Sequence, residues 1–225
     1  MREIFEAELK QVGDDLVEMS TLVVQAIDKA GRALLGANLA LAQEVIVADQ
    51  AIDSIEQDLD ERCVLLLAQQ APVATDLRVV VSALRMSATL ERMGDLARHI
   101  AEIARGRYPS PATPALRDTF EAMHEAATRA ARRVEHVLTT HELEGAEEIE
   151  RDDQVLDDLH QGTFAAMLGG TWEAGPQETV DVTLLSRYYE RFGDHAVSIA
   201  HRVTFLVTGE FVNAAHSEPE SGSND

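Results

Sequence analysis

Hydrophobic residues recur along this chain every three or four positions rather than every second one. From Ile4 to Leu34 they fall at Ile4, Phe5, Leu9, Val12, Leu16, Met19, Val23, Ile27, Ala30 and Leu34, the spacing of one helix face. Gly36-Ala37-Asn38 interrupts the pattern, with Gly36 placed to end one helix and Asn38 to cap the next. A second periodic segment runs from about Leu39 to Gln70, and Pro72 stops it. A third starts near Thr75 as N-cap, carries Asp76 in its first turn, and ends near Gly106. Tyr108-Pro109-Ser110-Pro111-Ala112-Thr113-Pro114 cannot be helix interior, so it reads as a linker that ends with Thr113 as N-cap and Pro114 at the first helical position. A fourth helix reaches about Val137. Thr139-Thr140-His141-Glu142 resembles a capping box opening a fifth, which Gly169-Gly170 ends after Leu168. Gly175-Pro176 opens a sixth that fades after Gly209.

No alternating apolar run is bounded by a hairpin turn. The pattern predicts an all-α protein of six long helices, arranged as two tandem three-helix bundles related by pseudo-twofold symmetry. The expected boundaries are 1–107 for the first bundle, 108–114 for the Pro-rich linker, 115–212 for the second bundle and 213–225 for a disordered tail.

The symmetry rests on a repeat. Glu91-Arg92-Met93-Gly94-Asp95-Leu96-Ala97-Arg98-His99-Ile100-Ala101 returns 99 residues later as Glu190-Arg191-Phe192-Gly193-Asp194-His195-Ala196-Val197-Ser198-Ile199-Ala200. Each copy sets two carboxylates one helical turn apart around a glycine. Like charges at that spacing cost a helix roughly 0.2–0.5 kcal/mol, and a mid-helix glycine costs about 1 kcal/mol relative to alanine. Retention of both unfavourable choices at Glu91/Gly94/Asp95 and Glu190/Gly193/Asp194 points to compensation from a neighbour. The glycines allow a second helix to come close. A second repeated pair, Asp49/Asp53 in the second helix and Asp153/Asp157 in the fifth, is placed to face the first if the helices are antiparallel neighbours.

Four carboxylates on two facing helices make an oxygen-rich site for a cation such as Mg, Mn, Fe or Zn. Alternatively, Arg92, Arg98 and Arg191 neutralise the acids in salt bridges. The residues leave both readings open.

Composition narrows the function. The chain is 45% hydrophobic but only 4% aromatic, which suits helix-on-helix packing. A formal charge of −21 argues against nucleic acid, whose binding requires clustered Lys and Arg. Cys63 stands alone in the apolar run Cys63-Val64-Leu65-Leu66-Leu67, so it reads as a buried structural thiol, and no intrachain disulfide can form. The N-terminus lacks the apolar core of a signal peptide, and no stretch approaches 18 uncharged apolar residues. A cytoplasmic protein that reaches a membrane only through partners is expected. No phosphate loop, Cys-x-x-Cys or nucleophile signature occurs, so no catalysis is expected.

The two signatures, together with Pro72-Val73-Ala74-Thr75-Asp76-Leu77-Arg78 at the start of the third helix, resemble the PhoU family over essentially residues 1 to 212. That resemblance implies a cytoplasmic accessory regulator of phosphate uptake, free or peripheral at the inner face of the plasma membrane. It implies that the regulator connects the ATPase of the phosphate ABC transporter to a sensor histidine kinase, and keeps phosphate-starvation signalling repressed when phosphate is ample. It further implies a homodimer and a divalent or multinuclear metal (Fe, Zn, Mn or Mg) at Glu91, Asp95, Glu190 and Asp194, with Asp49, Asp53, Asp153 and Asp157 opposite. The family often carries Asn four residues after the motif aspartate, where this chain has His99 and Ser198, and the second half lacks a counterpart of Asp76-Leu77-Arg78. Arg78 and Arg85, beside the first motif, are the candidate partner-binding residues, and charge reversal at either is expected to impair regulation without unfolding the chain.

Two rival readings remain. A ferritin-like di-metal carboxylate enzyme needs Glu-x-x-His on two helices; Glu121-Ala122-Met123-His124 matches and Asp157-Asp158-Leu159-His160 approximates it, but neither has a partner in the other half. A metal-free helical scaffold is the other. His124, His136 and His141 read as surface residues, and Trp172 as an anchor for its loop.

Overall fold

In the computed structural model, which describes residues 2–210, six helices carry the chain: α1 (Arg2–Gly36), α2 (Leu39–Gln70), α3 (Ala74–Arg107), α4 (Arg117–Thr140), α5 (Glu144–Leu168) and α6 (Pro176–Thr208). A short 3-10 turn, Pro114–Leu116, precedes α4, and there is no strand among the described residues. The tail expected from 213 to 225 lies outside the described residues.

Several ends follow from local chemistry. Asn38 caps α2 by accepting a hydrogen bond from the Leu41 backbone N–H at 3.1 Å. Asp76 sits in the first turn of α3, but the cap is the extended residue Val73, so Thr75 lies inside the helix. Thr139 and Thr140 open no helix. Their hydroxyls donate back to the carbonyls of Glu135 and His136, which extends α4 past Val137, and His141 turns left-handed at its end (φ 60°). A threonine hydroxyl is satisfied as well by sharing the carbonyl four residues back inside a helix as by capping one, and the sequence does not distinguish the two. Pro114 begins the 3-10 turn rather than α4 itself. Gly209, left-handed at φ 80°, ends α6.

α1, α2 and α3 pack on one another, as do α4, α5 and α6. The halves are also packed together, α1 against α4 and α3 against α6. A single hydrophobic core runs through both, from Met19, Ile27 and Leu90 to Phe120, Tyr189 and Phe192. Small residues make this possible. Ala30 and Ala33 of α1 and Ala126, Ala127, Ala130 and Ala131 of α4 are buried, and small side chains at a contact let helix axes approach. At Gly31 an added Cβ would lie 2.1 Å from Nδ1 of His124. His124 is therefore part of the α1–α4 contact, not a surface residue, and burial holds its pKa below the usual histidine value.

Polar clamps reinforce the join. Arg107, in the last turn of α3, holds the buried Asp181 of α6 with two donors, Nε to Oδ2 and Nη2 to Oδ1, the latter at 3.0 Å. Thr21 donates to Glu135 at 2.6 Å, and Arg117 donates to the Leu35 carbonyl at 2.6 Å. Trp172 donates to Thr179 at 3.0 Å, which ties the α5–α6 loop to α6 as expected.

Gly31 and Gly13 of α1 make a matched test. Alanine at Gly31 must displace the His124 ring, and overpacking of this kind costs about 1–3 kcal/mol. At Gly13 an added Cβ meets open space, so alanine there should recover up to about 1 kcal/mol of helix propensity. Urea unfolding should therefore show Gly31→Ala destabilised and Gly13→Ala stabilised, with equal effects at both sites arguing against the α1–α4 contact.

Candidate cation and regulatory site

The two motifs lie on the central helix pair. α3 and α6 run antiparallel: His99 stacks on Tyr188 with ring centroids 5.3 Å apart, and Arg107 meets Asp181. Arg92 lies close enough to His195 to affect its titration. In that register Gly94 comes level with Gly193, so the two acidic sites sit side by side across the pair, α2 lining one and α5 the other.

The glycines do what the repeat required of them. A Cβ on Gly94 would lie 2.8 Å from Ile52 Cδ1 and 3.3 Å from Asp49 Oδ1. A Cβ on Gly193 would lie 2.3 Å from Asp153 Oδ1 and 2.9 Å from Leu156 Cδ1. In each half the facing helix thus brings its first repeated aspartate, and the apolar residue three positions on, against the motif glycine. Asp53 and Asp157 contribute to the local fields: Asp53 raises Asp49 and Glu91, while Asp157 raises Asp153 and Glu190. All eight sequence-predicted acids therefore belong to two clusters of four.

The clusters are balanced differently. In the first, Arg98 reaches across from α3. Its Nε donates to Asp49 at 2.6 Å, Nη2 to Asp95 at 2.5 Å and Nη1 to Glu102 at 2.9 Å. Arg92 adds longer contacts of 3.4 Å to Glu91 and 3.3 Å to Asp95. Burial still raises the pKa of Asp49 above the usual carboxylate value, with Arg98 opposing it.

In the second cluster the residue in the place of Arg98 is Val197. Arg191 is exposed and makes no ion pair among the described residues; Arg187, one turn before Glu190, holds that side chain alone. Asp153 Oδ1 and Glu190 Oε2 are buried without a hydrogen-bond partner. Burial, then the charges of Asp157, Asp194 and Glu190, push the Asp153 carboxyl up to about 7. Asp157 and Glu190 are raised for the same reasons, burial first.

Other buried acids show how unusual this is. Asp181 has Arg107, and Asp152, the neighbour of Asp153, has both Arg129 and Arg133. An ionised carboxylate in a dry contact needs a counter-charge or gives up its ionisation. Among the described residues no group of three or more His, Cys, Asp or Glu converges closely enough to hold a metal ion as placed. The second cluster nevertheless has the chemistry of a hard-cation donor set: all oxygen, negatively charged and short of positive partners. The first can accept a cation only if Arg98 moves.

The other titratable groups stand apart. His160, in the place of Glu56, bonds to Ser186 at 3.0 Å, and His201 bonds to Glu150 at 2.9 Å. His124 and His160 lie on different helix contacts, so the two Glu-x-x-His-like pairs do not converge on one centre. Cys63 is buried, and burial pushes its thiol up to about 11, as befits an inert core residue. The sequence offers Arg92, Arg98 and Arg191 alike as neutralisers. The signal that separates them was present in the motif alignment, where Arg98 stands opposite Val197.

A six-helix, internally duplicated all-α protein with paired acidic turns on its two central helices defines a narrow class. The PhoU domain model matches residues 16–104 and 120–203, one match in each half. The chain belongs to the PhoU family. It is 42% identical over 212 residues to the phosphate-specific transport system accessory protein PhoU homolog 2 of Mycobacterium tuberculosis, covering 94% of this chain and 100% of that protein. It is 39% identical to PhoU homolog 1 of Mycobacterium leprae, covering 94% and 96%. The crystal structure of PhoU from Pseudomonas aeruginosa superposes with a TM-score of 0.83 at 28% identity, over 92% of this chain and 100% of that one. No described helix is long and apolar enough to cross a membrane.

Arg98 is the counter-ion of the first cluster, so its removal should cost about 3 kcal/mol, the scale for stranding a buried charge. The second cluster should show its own pH dependence. The folded pKa of Asp153 is raised, so the folded state binds more protons than the unfolded one between about 4 and 7, and this group's contribution to stability falls as pH rises through that window. Asp153→Asn should flatten the decline. Thermal melts from pH 4 to 8 in EDTA test both, and an unchanged slope in Asp153→Asn would count against the unpaired second cluster.

Proposed function

We propose that this chain is a non-enzymatic negative regulator of phosphate uptake and phosphate-starvation signalling. In this reading it couples the ATPase of the phosphate ABC transporter to the sensor histidine kinase and represses the response when phosphate is ample. The observation that carries the reading is the likeness, over nearly its whole length, to proteins named as phosphate-transport accessory proteins, in a fold with both acidic motifs intact. Work in the cytoplasm, as a homodimer peripheral to the inner membrane face through its partners, belongs to the same proposal.

A divalent cation (Mg, Mn, Fe or Zn) is proposed for the second cluster, held by Asp153, Asp157, Glu190 and Asp194. The support is Val197 standing where the first half has Arg98, and the two buried oxygens without partners. When bound, the cation supplies the positive charge that Arg98 provides in the first half. Asp49, Asp53, Glu91 and Asp95 then form a site balanced by arginine in the resting protein. A bridging cation is also what would let either acidic surface meet phosphate, since carboxylates alone repel it.

Deletion of the gene should release a phosphate-starvation reporter in ample phosphate. The wild-type chain should restore repression and should co-purify with the ATPase or the kinase. Restored repression with neither partner captured would overturn the coupling. For the cation, Mn or Zn added at pH 8 should raise Tm in the wild type but not in Asp153→Asn/Glu190→Gln. Val197→Arg, which copies the first half, should raise Tm in EDTA and abolish the response to metal. If metal analysis finds none bound and Tm does not respond, the cofactor is lost and the regulatory reading stands.

A further inference from the structure

Three arginines gather at one end of the α3–α6 pair, in a chain whose formal charge is −21. Arg78 and Arg85 come from the first half of α3, and Arg202 from the last turns of α6. They border a groove of about 330 Å³ whose remaining lining is Ala74, Leu77, Val81 and Phe205. The Arg78 guanidinium lies over the Phe205 ring, 5.7 Å from its centroid, and its Nε is buried without a hydrogen-bond partner. Burial first, and then the nearby charge of Arg85, holds the Arg202 guanidinium below its usual pKa.

Partial burial without a carboxylate partner sets Arg78 and Arg202 apart. The half-buried arginines elsewhere, Arg62, Arg98, Arg107 and Arg133, each have a Glu or Asp. Arg78 and Arg202 are equally half-buried and have none among the described residues, in a protein with twice as many acids as bases. The groove also exposes apolar surface: Leu77 is 41% exposed, Val81 37%, and the adjacent Val73 75%. Like charges held together over uncovered apolar side chains are unfavourable in the free chain, and both costs are relieved by one ligand that is apolar on one side and anionic on the other.

We propose that this groove binds a short acidic amphipathic segment of a partner protein, its apolar side chains on Leu77, Val81 and Phe205 and its carboxylates on Arg78, Arg85 and Arg202. The apolar lining disfavours free phosphate, which offers nothing to cover it. The strongly negative remainder of the surface disfavours an anionic membrane or a nucleic acid, both extended charged objects that would meet that remainder. A segment laid in a groove meets only the local field. The inference deepens the regulatory reading by giving the kind of partner surface, and it rests on that reading only for the partner's identity.

The test is fluorescence anisotropy of the full chain with a labelled helical peptide carrying Leu along one face and Glu on the other, against a scrambled peptide of the same composition. The amphipathic peptide should bind, the scrambled one should bind at least about tenfold more weakly, and added salt should weaken binding. Arg85→Glu/Arg202→Glu should lose at least about tenfold in affinity, as should Leu77→Asp. Arg85→Gln/Arg202→Gln, which removes the like-charge pair and keeps uncharged polar side chains there, should lose binding while keeping or raising Tm, which separates lost docking from lost fold. Arg105→Glu, a reversal of one charge at an exposed position away from the groove, should bind as wild type. Equal binding of the scrambled peptide, or an equal loss in Arg105→Glu, overturns the proposal. So does capture by anionic vesicles or by inorganic phosphate with no peptide binding, or a wild-type dimer that Arg85→Glu/Arg202→Glu dissociates and the peptide does not compete with. Peptide binding is read on purified protein and repression in cells, so failure of the groove and failure of the regulatory reading are separately visible.

Discussion

Carboxylates pressed into a helix–helix contact dominate this molecule. Gly94 and Gly193 let α2 and α5 come so close that Ile52 and Asp153 crowd the space a Cβ would take, with Asp49 beside Ile52. Once helices approach to that distance, water is largely excluded and each aspartate needs a positive partner or a proton. The central α3–α6 pair, the side-by-side placement of the two motifs and the different chemistry of the two halves all follow from how that need is met.

Duplication produced two copies of one arrangement, and a single position separates them. Arg98 on α3 satisfies three carboxylates at once, whereas Val197 on α6 satisfies none. The remaining buried acids, Asp152 and Asp181, have arginines of their own, and in the case of Asp181 the bond also fastens one half of the chain to the other. Positive charge is scarce in a chain with 19 Lys and Arg against 40 Asp and Glu, so where each arginine goes is informative. Arg78, Arg85 and Arg202, which pair with no acid among the described residues, stand together beside an apolar groove instead.

Much of this was legible from residue order. The period of the apolar positions placed all six helices, because each buries one stripe along its length. Asn38, Pro72, Gly169-Gly170 and Gly175-Pro176 marked ends that local geometry alone decides. Thr139 and Thr140 misled, since a threonine hydroxyl can cap a helix or bond back within one. His124 misled as well: it looked polar-facing within its own helix, but α1 from the other half covers it. Arg202 and Phe205 could not be linked to Arg78 and Arg85 in advance, because nothing local ties residues more than a hundred positions apart.

The amino-acid order by itself determined the helices, the duplication, the eight acids and their pairing in turns, since each depends on interactions within a few residues or on exact repetition. The tertiary structure decided that the two bundles share one core, which arginine answers which acid, and that one acidic cluster is compensated while the other is not. Those outcomes depend on which helix faces come within hydrogen-bond reach. That is set by small residues at the crossings, Gly31, Gly94 and Gly193 among them, and by the antiparallel register of α3 on α6.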